Sequence, residues 1–134
     1  MTQHPYTDPL SQHLYDSPEA AAVEAVVRDY IEGWHEGDAQ RMERTLHEDL
    51  VKRSIGNDAS TSSALSRVTK TQMVELTRDG GGRAPDAVAQ VVVHHVEGGI
   101  ASAHVATDLY LDYVHLAKTS GTWRIVHDLF RQRS

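Results

Sequence analysis

The residues best suited to chemistry are two acids, Asp112 and Asp128, on what read as consecutive strands near the end of the chain. A three-residue turn at Thr119-Ser120-Gly121 would pair Asp112 with Asp128 and Val114 with Val126. Two close carboxylates in a pocket cannot both ionise cheaply, so one retains its proton. Such a carboxyl can act as a general acid or donate a hydrogen bond to a developing oxyanion. On an outer strand the same acids are solvated, separated by water or by a guanidinium, with Arg53 and Arg124 as candidate partners. His47 is a candidate base oriented by either acid, or a cap on the last carbonyls of a helix. Tyr30 is a hydroxyl donor or a core tyrosine, and Trp34 a stacking wall or plain packing. The candidate catalytic set is therefore His47, Asp112 and Asp128; the candidate ligand-binding set is Tyr30, Trp34, Arg53 and Tyr110.

Nine histidines raise the question of a metal. His94 and His95 are neighbours on a strand and point to opposite faces, so they cannot share an ion. In a single extended strand from Ile100 to Lys118, His94 lies too far from His115 for a site with His127. His95, His104 and Asp108 approach one another only on the watery face, and no metal site is expected. Gly80-Gly81-Gly82-Arg83 lacks the Lys-Ser/Thr of a phosphate loop, and no Gly-x-Ser-x-Gly elbow occurs. No cofactor is implied.

The elements that must position these groups fit one domain of 134 residues. Thirteen Lys and Arg against nineteen Asp and Glu leave a charge of −6, which argues against a nucleic-acid partner. No apolar run is long enough to span a membrane, and Met1-Thr2-Gln3-His4-Pro5 lacks the order of a signal peptide. With no cysteine there is neither a disulfide nor a thiol nucleophile, and a cytoplasmic α+β domain is expected. Residues 1–16 read as an arm, with the domain over 17–134. Ser17-Pro18-Glu19 starts a helix whose stripe is Val23, Val26, Val27, Tyr30, Ile31 and Trp34. Gly37 stops it, and Asp38 caps a short second helix through Met42 and Leu46. Leu50 to Ile55 reads as a strand, Gly56 to Ser63 as a loop whose Ser60–Ser63 stretch is a candidate pocket lid, and Leu65 to Val68 as another brief strand. Thr69 and Gln72 have capping-box spacing before a third helix.

From Ala87 the period becomes alternating, giving antiparallel strands over Val88–Glu97, Ile100–Lys118 and Thr122–Arg131. Gly98-Gly99 is a two-residue turn that pairs Val92 with Val105 and turns Val88, Val92 and Val96 inward. Beyond Asp108 two registers stand open. Strict alternation buries Leu111, Tyr113, His115, Trp123, Ile125, His127 and Leu129; a bulge near Asp108 to Tyr110 buries Tyr110, Asp112, Val114, Leu116, Val126, Asp128 and Phe130.

Tyr30-Ile31-Glu32-Gly33-Trp34-His35-Glu36-Gly37-Asp38, Leu46-His47-Glu48-Asp49, Asp112-Tyr113 and Gly121-Thr122-Trp123-Arg124-Ile125-Val126 resemble the nuclear transport factor 2-like (NTF2-like) superfamily. The nearest branch resembles the family described as "Putative lumazine-binding", over roughly residues 18–131. The resemblance implies a cone-shaped α+β barrel, with helical segments folded over a strongly bent antiparallel sheet around a pocket, and a homodimer. It also implies that Tyr30 and Asp112 match the oxyanion donors of steroid-isomerase-like enzymes, whose base position falls near Ser54. In the nearer branch a lysine tends to occupy the position of Asp128. The leading expectation is a homodimeric pocket protein for a small flat or aromatic ligand. A cofactor-independent lyase or isomerase and a dimerisation module are the alternatives.

Overall fold

The computed structural model describes residues 17–55 and 65–133. The expected arm over residues 1–16 and the loop from Gly56 to Ser63 lie outside the described residues. Helix α1 (Pro18–Glu36) begins where Ser17 accepts the Glu19 N–H at 3.0 Å and ends at Gly37, whose φ of +72° closes the left-handed cap. Its stripe of Val23, Val27, Tyr30 and Ile31 is buried against the sheet. Asp38 caps α2 (Ala39–Thr45), and Arg41 ties the two helices together through Asp29, Glu32 and Glu36. Strand β1 (Leu46–Ser54) starts earlier than the expected Leu50 and absorbs the predicted end of α2. Both bonds of the Thr69–Gln72 capping box open α3 (Lys70–Arg78). Of the strand expected over Leu65–Val68, Val68 bridges to Lys52 and Ser66 donates its N–H to the Ser54 carbonyl at 3.1 Å, without a continuous strand.

Four further strands follow: β2 (Gln90–Glu97), β3 (Ile100–Ala106), β4 (Tyr110–Thr119) and β5 (Thr122–Gln132). The sheet order is β1-β5-β4-β3-β2, and β1 runs parallel to β5. The sheet is therefore mixed rather than wholly antiparallel, and it stays open, with β1 and β2 as its edges, rather than closing into a barrel. The expected Ile100–Lys118 strand breaks in two. Thr107 donates its N–H to the Tyr110 carbonyl at 2.9 Å, and its hydroxyl accepts the N–H groups of Leu109 and Tyr110. That side-chain clasp makes a tight turn of Asp108-Leu109 without any glycine. The turn itself resets the alternation, so no bulge is needed there.

The bulges occur elsewhere and share one line across the sheet. In β2, Val93 pairs with Ala103 but His95 with Ser102, which leaves His94 unpaired and places Val91 and Val93, not Val92, beside the core. In β5, His127 pairs with His115 but Ile125 with Leu116, leaving Val126 over. In β1, the pairing skips from Leu46–Ile125 to Val51–His127. Such extra residues bend a strand and increase its twist, and here they align into a crease. The last turn is the two-residue Ser120-Gly121, both at positive φ, flanked by the Thr119–Thr122 pair. Neither expected face is correct as a set: Asp112, Val114, Leu116, Trp123, Ile125 and Asp128 are buried together.

Candidate functional site

Asp112 and Asp128 both point under the helices, at 2% and 3% exposure, so the solvated alternative does not hold. They are not directly paired: Asp112 faces Phe130 and Asp128 faces Val114, because the turn is shorter than expected and Val126 is bulged. The Tyr30 hydroxyl joins them, lying 3.0 Å from Asp112 Oδ2 and 2.7 Å from Asp128 Oδ2. The cation between the acids is Lys52, 6% exposed, with Nζ 3.2 Å from Asp128 Oδ2 and 3.7 Å from Asp112 Oδ2. Lys52 also donates to the Tyr30 hydroxyl. Its ammonium lies 4.3 Å from the centre of the Phe130 ring and 4.9 Å from that of Tyr30, near enough for the ring faces to stabilise the charge.

Burial, and then the charge of Asp128, push the Asp112 carboxyl well above the usual carboxylate range, against the opposing pull of Lys52. Burial and the two acids push the Tyr30 phenol up as well. A phenol has one proton and two acids to serve; a proton on Asp112 supplies the second bond. Two acids beside one ammonium inside a core are costly to enclose, and burial wins over Lys52 in setting the direction in which the Asp112 carboxyl moves. Asp128 Oδ1 is buried with no hydrogen-bond partner among the described residues.

A cavity of about 70 Å³ adjoins this cluster, bordered by Lys52, Asp112 and the rings of Tyr30, Trp34, Tyr110 and Phe130. Tyr110 meets Trp34 and Phe130 edge to face, each at 6.3 Å between centroids. The triple glycine after α3 closes over Trp34: a Cβ on Gly82 would stand 1.9 Å from the indole. The Gly82 carbonyl also bonds Nδ1 of the buried His35 at 3.0 Å.

Among the expected residues, Tyr30, Trp34, Tyr110 and Asp112 border the cavity, and Asp128 joins them through Tyr30 and Lys52. His47 does not reach the acids; its Nδ1 accepts the Asp49 N–H at 3.0 Å, in β1 rather than at a helix end. Arg53 is paired with Leu129 and alternates away from the cluster. Lys52 was the residue missed. Leu50 and Lys52 share the buried side of β1, so the alternation that places Leu50 inward already places Lys52 there. The five histidines of β2 to β5 take the other side of the sheet. His94 Nε2 lies 2.7 Å from His104 Nδ1, and burial together with His94 holds His104 below the ordinary imidazole value. His115 Nδ1 lies 3.4 Å from His127 Nδ1. The expected separation of His94 from His115 assumed one extended strand, and the turn at Asp108-Leu109 removes it. Among the described residues no three metal-ligating side chains converge, and no helix is long and apolar enough to cross a membrane.

Three helices on a creased five-stranded sheet, with a polar cluster beneath them, define an NTF2-like fold. The model of the family described as "Putative lumazine-binding" matches residues 18–131, and the chain belongs to that family. No curated protein matches it. Among solved structures it resembles an NTF2-like protein of unknown function from Silicibacter pomeroyi DSS-3, with a TM-score of 0.74 at 24% identity over 88% of this chain and 98% of that one. An NTF2-like protein of unknown function from Shewanella baltica OS155 gives 0.75 at 20% identity, covering 87% and 94%. A ketosteroid isomerase-like protein from Erwinia carotovora atroseptica SCRI1043 gives 0.65 at 15%, covering 88% and 98%. At these identities the likeness is one of fold.

Proposed function

We propose that this chain binds a small flat organic molecule that sets a carbonyl or hydroxyl against Asp112, Tyr30 and Lys52, with its ring between Trp34, Tyr110 and Phe130. The observation that carries this reading is a buried carboxyl, pushed above the usual carboxylate range by its burial, at the wall of an aromatic-lined cavity. The cavity of about 70 Å³ is roughly a quarter of the smallest usual ligand pocket, so it receives a polar tip rather than a whole bicycle. The ring then lies toward the half-exposed side, where Val68 and Leu76 complete the lining. Fluorescence titration with lumazine and with 2-naphthol tests this. Saturable binding weakened at least tenfold in Tyr110→Leu supports it; no saturable change with either probe up to millimolar concentration overturns it.

Proton transfer is the second reading, favoured by the same upward push on the Asp112 carboxyl. A pH-dependent turnover lost in Asp112→Asn, with probe affinity retained, is its signature. The homodimer belongs to the proposal too. Ile100 and Tyr113, at 66% and 54% exposure, and Leu129 present apolar surface on the sheet face that no helix covers. Sedimentation as a monomer at micromolar concentration counts against it.

A further inference from the structure

The outer sheet face carries five of the nine histidines, and two of them are placed as a chelate. We propose that His115 and His127 bind a first-row transition-metal ion, of which Zn²⁺ is the reference case, through their Nδ1 atoms. The two residues are directly paired on β4 and β5, and both side chains are exposed. Their Nδ1 atoms stand 3.4 Å apart. Two imidazole nitrogens bound to one tetrahedral Zn²⁺ at about 2.05 Å are separated by about 3.3–3.4 Å, so the backbone register already supplies the bite. The two Nδ1 atoms are within hydrogen-bond reach of each other, and either ring can be the donor. With the protons of both rings on Nε2, both Nδ1 lone pairs are free, and small ring rotations aim them at an ion held off the line between the two nitrogens.

The neighbouring pair provides the contrast. His94 Nε2 and His104 Nδ1 are 2.7 Å apart, a spacing that would compress the angle at such an ion to about 80°. His95 is turned to Glu97 at 3.0 Å. The His115–His127 pair opens onto a surface groove of about 400 Å³ shared with His95, Ser102, Ile100 and Ala117. Among the described residues no third ligand converges, so the ion keeps two positions for water or an exogenous donor. In a pair of chains joined through this face, two such sites could share one ion.

The test is calorimetric titration of the untagged protein with Zn²⁺, with Co²⁺ absorption as a second readout. Saturation at one ion per chain or per two chains, weakened at least tenfold in both His115→Gln and His127→Gln and unchanged in His94→Gln, supports the site. Far-ultraviolet circular dichroism shows that each variant is folded. Absence of saturable binding below about 1 mM, or binding that survives both substitutions, overturns the proposal.

Discussion

The two faces of the sheet handle ionisable groups in opposite ways. Beneath the helices, Lys52, Asp112, Asp128 and Tyr30 are buried together, within hydrogen-bond and ion-pair distance of one another. On the outside, five imidazoles stand in two close pairs and a single residue that is turned to Glu97. Burial pushes a carboxyl up on one side and, with His94 beside it, an imidazole down on the other. The cause is one: a low-dielectric setting disfavours the charged form of either group.

The sharpest way to break this comparison is to remove the inner cation. Lys52→Met leaves a buried carboxylate without its partner and should cost about 3–5 kcal/mol in urea unfolding. Adding Asp128→Asn to that variant should return most of the loss. Next comes Gly82→Ala, whose methyl collides with Trp34; about 1–3 kcal/mol is expected, with loss of probe binding at the cavity.

Smaller but more diagnostic are the pH slopes. The folded protein holds a proton on Asp112 above the ordinary carboxylate pKa of about 4, so this group's contribution to stability falls as pH rises through that window. His104 works the other way: its folded value is depressed, so its contribution falls as pH drops below about 6.5. Urea midpoints between pH 4 and 8 should lose the first slope in Asp112→Asn and the second in His104→Gln. The least effect is expected for Leu129→Ser, within about 0.5 kcal/mol for a separated chain, with any larger change appearing in sedimentation.

Much of the fold was legible because its signals are local. Ser17-Pro18, Gly37, the Thr69–Gln72 box and Gly98-Gly99 each mark an element where the backbone then turns or starts. The Thr107 clasp was not legible, since Thr and Asp in a β-rich run look like strand residues until the hydroxyl finds two amides. The pairing of β1 beside β5 was also hidden, because parallel neighbours distant in sequence leave no turn to read. The acids and Tyr30 could be singled out by type. Lys52 could not be joined to them without the strand order, although its phase with Leu50 was already in the sequence.

The crease has a consequence for the length of the chain. Val126 is a spare residue: Ile125 and Asp128 are both buried, with a single outward position, His127, needed between them. Deleting Val126 would therefore straighten the ladder without turning Asp128 to the outside. Such a shortened hairpin would keep its inner charges and flatten the floor on which they sit, so curvature and polarity of the hollow can be varied one at a time.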